Sequence, residues 1–198
     1  MTTPFADLSP DTVVDCVEAI GYRCDLRLLA LNSYENRVYQ VGIEDGLPVI
    51  AKFYRAERWT DEQILEEHAF SLTLQDHGLS VIAPLEIGGQ TLHHAHGQRF
   101  SVFPRRGGHP PELDNLDHLL ILGRTLGRIH RVGATVTCEH RPALSIDRSV
   151  SESRAFVLAN FVPSDLREAY ASVSSDCETL VREALRGHNR AANQMIHG

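Results

Sequence analysis

The chain has 198 residues, and 19 basic residues against 26 acidic ones give a formal net charge of −7 at pH 7. Apolar residues make up 42% of the chain and charged residues 23%, which is typical of a globular protein that buries a core. The negative charge argues against nucleic-acid binding, because an acidic chain has no bulk attraction for a phosphate backbone. No apolar run approaches the length of a bilayer span, so we expect no membrane partner.

The N-terminal residues lack the basic and apolar segments of a secretion signal, so we expect a cytoplasmic protein. The four cysteines form no CxxC pair, and their spacing does not match a zinc site. Reduced thiols are therefore the simpler interpretation.

Two helices in the first half of the chain are marked by their capping residues. Ser9 followed by Pro10 predicts an N-cap with proline at the first helical position. Residues 60–63 have the pattern of a capping box, in which Thr60 and Gln63 each bond the other's backbone. This second helix is expected to end near His77, because Gly78 follows.

Five segments have the alternation or the apolar content of strands. The first three are joined by short turns, the second of them an Asp-Gly turn at residues 44–46, and predict an antiparallel meander. The strands are predicted at residues 26–31, 36–43, 48–54, 81–87 and 99–103.

Residues 104–111 contain two glycines and three prolines, which excludes the interior of a helix or strand. We interpret this segment as a linker between a strand-rich lobe, residues 1–103, and a helical lobe, residues 112–198. Leucines at helical spacing predict a helix over residues 113–132, and Ser151 and Ser164 are predicted to cap two further helices of the second lobe. The expected fold class is α+β.

Lys52 lies inside an apolar strand, where an ammonium costs desolvation unless an anion meets it. An edge strand with the lysine pointing to water also explains the pattern. The following helix carries Glu66 and Glu67, and in kinases a strand lysine that binds phosphates is positioned by a helix glutamate. Glu67 is preferred because it shares a helical face with Ile64 and Ser71. For Glu66 a solvated position is favoured.

Four segments resemble the bacterial stress response kinase A family, which are serine/threonine protein kinases on the aminoglycoside-phosphotransferase and choline-kinase fold. The longest has nineteen residues of mixed chemistry, which makes the resemblance specific. The segments are LNSYENRVYQ (31–40), KFYRAERWTDEQILEEHAF (52–70), IAPL (82–85) and GRTLGRIH (123–130).

The resemblance implies a two-lobed kinase with a five-stranded antiparallel sheet and one αC-type helix in its first lobe. The implied reaction is γ-phosphoryl transfer from ATP, with Mg²⁺, to a serine or threonine of a protein, by a monomeric full-length enzyme. Lys52 would bind phosphates beside Glu67. The implied ATP-binding residues also include the phosphate loop and a hinge at adenine: Ser33, Asn36, Phe103, Pro104 and Arg105. An ordinary hairpin turn remains open for the loop, and a solvated linker for Arg105.

The family also carries an HGDxHxxN motif, whose Asp acts on the acceptor hydroxyl and whose Asn holds magnesium. His197 and Gly198 match its first two letters, so the catalytic Asp is expected immediately after Gly198. We therefore expect these 198 residues to contain no catalytic residue and no metal ligand, and to transfer no phosphate at a useful rate.

Three other interpretations remain open at this stage. The acceptor can be a small hydroxyl compound such as an amino alcohol or amino sugar, because fold alone does not set the substrate. The chain can also be a non-catalytic module that binds a nucleotide or a partner. His93, His94 and His96 suggest a metal site, but a surface turn is favoured because a metal site also needs supporting carboxylates and a second shell of hydrogen bonds.

Overall fold

Five strands form one antiparallel sheet in the computed structural model, which describes residues 5–143 and 145–185. The strand order across the sheet is β1-β2-β3-β5-β4. The strands are β1 (Cys24–Leu31), β2 (Arg37–Ile43), β3 (Val49–Phe53), β4 (His93–Ala95) and β5 (Gln98–Pro104). The predicted α+β class and the five-stranded antiparallel sheet are confirmed.

Five α-helices and one π-helix accompany the sheet in the described residues. The α-helices are α1 (Pro10–Ala19), α2 (Asp61–Asp76), α3 (Leu116–Gly133), α4 (Ser153–Asn160) and α5 (Arg167–Leu185). The π-helix covers Asp147–Glu152 and leads directly into α4.

Alternate residues along the central strands lie on opposite faces of the sheet. One face packs on α1 and is fully buried there, with Ala51 and Phe53 of β3 against Phe100 and Val102 of β5. The rings of Phe53 and Phe100 stack at 5.2 Å between centroids. This apolar core fixes the register of β3 and β5, because a shift of one residue would turn the apolar side chains to the other face.

The prediction of a strand at residues 81–87 is wrong. This segment forms no continuous ladder: the Leu85 amide donates to the Val102 carbonyl at 2.7 Å, and Ile87 forms an isolated bridge with Gln90. Pro84 in its middle has no amide to donate to a ladder. The fourth strand is instead the histidine segment β4, which was interpreted as a turn. His96 and Gly97 form the true turn, with positive φ angles of 50° and 72°, between paired Ala95 and Gln98.

Helix α2 begins with the predicted capping box. The Gln63 amide donates to the Thr60 hydroxyl at 3.3 Å, and the Thr60 amide donates to the Gln63 side chain at 3.0 Å. At the other end of α2, the guanidinium of Arg128 on α3 donates to the carbonyls of His77 and Gly78. Both ends of the helix that carries Glu67 are therefore fixed by side chains.

The chain divides into two compact units, of which the first ends at Val136 and the second begins at Thr137. This division follows α3, whereas the lobe boundary predicted at residues 104–111 precedes it. That lobe boundary stays a prediction. Strand β5 continues one residue into the predicted linker, because Pro104 pairs with Val49 at the end of the ladder, a position that a proline tolerates.

Polar contacts hold the second unit together, and none of its described residues is fully buried. The prediction that Ser151 caps a helix is wrong, because Ser151 lies within the π-helix that precedes α4. The Ser151 hydroxyl instead donates to Glu178 at 2.6 Å. Arg182 donates to Glu178 at 3.0 Å and to Asp147 at 2.5 Å. The hydrogen bonds from Ser151 and Arg182 hold the pKa of Glu178 below its usual value.

Candidate phosphate-binding site

Lys52 lies in the middle of the sheet, on the face opposite the α1 core. Its neighbours across the ladder are Val38 on β2 and Ser101 on β5. Because β3 has a partner strand on each side, an edge-strand position for Lys52 is excluded. The Lys52 side chain is 26% exposed, so an anion from solvent can reach it.

Glu67 of α2 provides the anion that faces this lysine. Its Oε1 lies 3.6 Å from the Nζ of Lys52, and its side chain is also 26% exposed. Glu67, the glutamate favoured by its position on the helical face, lies at the lysine in the structure. A paired ammonium that remains open to solvent can bind a further negative group such as a phosphate.

The composition of the chain carries a second signal for Lys52, independent of the strand pattern. Lys52 is the single lysine among the 198 residues, and the other 18 basic residues are arginines. A lysine is a compact point charge on a flexible stem, whereas an arginine presents a rigid planar fork. The composition alone therefore singles out Lys52 among the basic residues of this chain.

A buried histidine that no sequence pattern pointed to lies directly beside the ion pair. His68 follows Glu67 on α2, is 2% exposed, and has its Nε2 2.8 Å from the Tyr54 hydroxyl. The pKa of His68 is lowered to about 4, mainly by burial; Glu67 opposes this shift, and the nearby Lys52 and His93 add to it. The imidazole is therefore neutral at pH 7.

Ser101 lies opposite Lys52 across the β3–β5 ladder and is completely buried. Among the described residues its hydroxyl has no hydrogen-bond partner. Directly opposed residues of an antiparallel pair share a face, so the side chains of Ser101 and Lys52 lie on the same side of the sheet.

The predicted phosphate loop is connected to the chain that follows β3. The side-chain oxygen of Asn36 accepts a hydrogen bond from the Arg55 amide at 3.3 Å, and Glu35 forms an ion pair with Arg58. Ser33 is half-buried in this loop. These contacts hold the loop beside the end of the strand that carries Lys52, and its role toward phosphate stays a prediction.

The predicted hinge residues lie at the end of β5 and just after it. The ladder places Phe103 on the same face of the sheet as Lys52. Phe103 pairs with Ile50, and its ring meets the His68 ring edge-on at 6.3 Å. The Arg105 guanidinium donates to the Gln40 side chain at 2.9 Å. Pro104 ends the strand. His197 and Gly198 lie outside the described residues.

In the described part of the chain, no group of three His, Cys, Asp or Glu side chains is arranged to hold a metal ion. His93 is buried in β4, and the Nε2 of His94 lies 3.1 Å from Asp61. The three histidines of this segment therefore do not converge on one ligand position.

A model of the phosphotransferase enzyme family matches residues 27–198. The chain belongs to the phosphotransferase enzyme family. The matched range includes all of the sheet except the first residues of β1, and both residues of the Lys52–Glu67 pair. The family match therefore includes most of the sheet and all of α2.

Curated relatives confirm the resemblance predicted from the sequence. Stress response kinase A of Escherichia coli K12 is 43% identical over 173 residues, which is 87% of this chain and 53% of that protein. Stress response kinase A of Salmonella choleraesuis is 39% identical over 98% of this chain and 59% of that protein. Serine/threonine protein kinase RdoA of Salmonella typhimurium matches to the same extent. The chain spans little more than half the length of these relatives.

Two solved structures share the fold. An amicoumacin kinase, solved in complex with AMP-PNP and Ca²⁺, matches 88% of this chain and 53% of its own, with a TM-score of 0.65 and 22% identity. A microcompartment-associated aminopropanol kinase matches 75% of this chain and 54% of its own, with a TM-score of 0.56 and 18% identity. At these identities the likeness shows the fold alone.

None of the helices within residues 5–143 and 145–185 combines the length and the apolar character that crossing a bilayer requires.

Proposed function

We propose that this chain is the nucleotide-binding part of an ATP-dependent protein kinase that acts on serine or threonine in the cytoplasm. The observation that carries the proposal is the Lys52–Glu67 pair at 3.6 Å, on a sheet whose other face is a closed apolar core. A positioned cation on a rigid strand is suited to the α- and β-phosphates of a nucleotide.

Each predicted site residue has a role in this proposal. Lys52 binds the α- and β-phosphates. Glu67 orients the Lys52 side chain toward the position of these phosphates. Ser33 and Asn36 belong to the loop that covers the phosphates. The backbone of residues 103–105 meets the adenine. The nucleotide thus lies along the sheet face that carries Lys52 and Phe103, which the ladder places on the same side.

Magnesium accompanies ATP in the proposed reaction, because it neutralises charge on the transferred phosphate. The described residues offer no group of three metal-ligating side chains. The side chains that the described residues bring together fit the phosphates rather than the metal.

A protein acceptor is supported by the name of one relative, a serine/threonine protein kinase that is 39% identical over 98% of this chain. The two fold neighbours are named as kinases of small molecules. Their identity to this chain is 18–22%, so they bear on the fold and not on the acceptor. A small hydroxyl compound remains the second candidate, and the full-length gene product assayed with casein and with a panel of amino alcohols separates the two.

The nucleotide proposal is tested by titrating the chain with ATP, ADP and adenosine. Lys52→Met is expected to weaken ADP binding roughly 10- to 150-fold, the equivalent of about 1.5–3 kcal/mol for a hydrogen bond to a charged group. Adenosine binding should not change, because adenosine carries no phosphate. Arg27→Gln is the control, because it removes one positive charge from an exposed residue of β1. Equal affinity of wild type and Lys52→Met for ADP contradicts the proposal.

A further inference from the structure

Three buried side chains, linked by hydrogen bonds, lie beneath the Lys52–Glu67 pair. We call them the Tyr54–His68–Thr91 network. The Tyr54 hydroxyl lies 2.8 Å from Nε2 of His68, and Nδ1 of His68 lies 2.9 Å from the Thr91 hydroxyl. All three residues are at least nine-tenths buried. A neutral imidazole donates at one nitrogen and accepts at the other, and two hydroxyl partners satisfy both.

The Tyr54–His68–Thr91 network lies next to both residues of the ion pair. Tyr54 follows Lys52 by two residues, and the Lys52 ammonium lies over the Tyr54 ring, 5.0 Å from its centre. His68 follows Glu67 directly on α2. The strand end and the helix are therefore joined twice, once through the partly exposed ion pair and once through the buried Tyr54–His68 contact.

The buried contact is the stronger constraint of the two. Ion pairs open to solvent contribute little to holding a geometry, because water competes and two flexible side chains must be ordered. A buried polar group that loses its partner is costly, since no water replaces the bond. An aromatic face also attracts an ammonium and limits where it can lie.

We propose that Tyr54 and His68 are positioning residues for the phosphate-binding lysine: His68 holds the Tyr54 ring under the Lys52 ammonium and holds α2 so that Glu67 reaches it. Thr91 fixes the other side of the imidazole and so ties the arrangement to the segment before β4. The inference rests on the proposed function, which gives Lys52 its phosphate.

The position of the lysine is measured directly by reductive methylation with ¹³C-formaldehyde, which keeps the positive charge. Because Lys52 is the single lysine, the spectrum contains its methyl signal and that of the N-terminal amine, and Lys52→Arg identifies which is which. A methyl group over an aromatic ring is shielded. Tyr54→Leu removes the ring and gives the unshielded limit for comparison.

Tyr54→Phe keeps the ring and removes only the hydroxyl that His68 holds. We expect its Lys52 methyl signal to move toward the unshielded limit, and we expect the same of His68→Leu. His68→Gln retains an amide that reaches toward Tyr54, so its signal should return part of the way. Tyr39→Phe is the control, because Tyr39 belongs to the α1 face of the sheet and stacks edge-on with Phe53.

The functional readout is the ratio of ADP affinity to adenosine affinity in the unmodified proteins. Tyr54→Phe and His68→Leu should lower ADP affinity roughly three- to tenfold and leave adenosine affinity unchanged, as expected when the group that orients a charge is lost. A residue that only supports the fold would leave this ratio constant.

The inference is overturned if Tyr54→Phe and His68→Leu are folded and keep both the wild-type methyl signal and the wild-type affinity ratio. It is also overturned if His68→Gln behaves no better than His68→Leu in both measurements. A wild-type chain that binds no nucleotide would instead overturn the proposed function, and the methyl signals would still decide whether Tyr54 and His68 position the lysine.

Discussion

The carboxylate of Glu67 lies 3.6 Å from the ammonium of Lys52, although the two residues belong to a helix and a strand separated by seven residues of chain. Both side chains are one-quarter exposed, so the pair lies at the boundary between the protein and solvent. The strand supplies the cation, and α2 determines whether that cation is held or free. Substitutions in α2 are therefore expected to change the affinity for nucleotide even where the substituted residue does not contact the nucleotide.

Glu67→Gln is expected to weaken ADP binding several-fold, because the Lys52 stem loses its partner and its charge is less well placed. Glu66→Gln is the matched control, since it changes the same charge at the neighbouring position of the same helix. Calorimetric titration of both variants with ADP measures the difference. Equal affinities for the two variants would show that Glu67 has no particular part in holding Lys52.

Two buried hydroxyls differ in whether they have a partner, and this predicts opposite effects on stability. Ser101→Ala should leave the free energy of unfolding unchanged or raise it by about 1 kcal/mol, because it removes a buried group that has no partner among the described residues. Thr91→Val should lower it by about 1–3 kcal/mol, because Nδ1 of His68 loses its bond. Urea denaturation measures both. A large loss in Ser101→Ala would mean that its hydroxyl is bonded.

Stability should fall in mildly acidic solution because of His68. Its pKa is about 4 in the folded chain and about 6.5 when unfolded, so the unfolded chain binds the extra proton between these values. Stability is then fully present above pH 6.5 and decreases as the pH falls toward 4, by about 3 kcal/mol in total at about 1.4 kcal/mol for each pH unit. Urea denaturation from pH 4 to pH 8 follows the decrease.

His68→Gln should flatten this pH dependence and leave a smaller slope. The remaining slope includes His93, whose pKa is also lowered by burial and by His94. The charges that face His68 are Glu67, Lys52 and His93. A wild-type curve that superimposes on the His68→Gln curve would mean that His68 titrates normally.

The capping box of α2 is expected to contribute to stability through the helix that carries Glu67. Thr60→Ala should lower the free energy of unfolding by about 1 kcal/mol, because the Gln63 amide loses its acceptor. Thr60→Ser keeps a hydroxyl at the same position and should retain most of that stability. Thermal denaturation compares the two. If Thr60→Ser loses as much as Thr60→Ala, the hydroxyl does not act as the cap.

Local patterns predicted those elements whose ends are set by nearby residues. Ser9 caps α1, and its hydroxyl accepts from the Thr12 amide at 3.1 Å. The turn at Asp45 and Gly46 separates β2 from β3 as expected. The apolar content of residues 81–87 is typical of a strand, but Pro84 has no amide to donate and excludes a continuous ladder. The signal for β4 was present in His96-Gly97, since a glycine at the second position of a two-residue turn favours a hairpin.

The candidate site was predictable only in part, because its contacts join distant parts of the chain. The Lys52 and Glu67 positions followed from the order of strand and helix. The Tyr54–His68–Thr91 contacts did not, since they connect three segments through side chains whose burial depends on the packed fold. A histidine on a helix gives no sequence signal that its ring has two hydroxyl partners.

Burial is distributed unevenly between the elements, and this has a consequence for amide hydrogen exchange. Strand β3 is flanked by two strands and carries the fully covered Ala51 and Phe53, whereas α4 and α5 have no buried residue. Amides of α4 and α5 should exchange through frequent local opening, and those of β3 only when the whole first unit opens. Lys52 therefore lies on an element that we expect to exchange slowly, where its charge is preorganised before a ligand arrives.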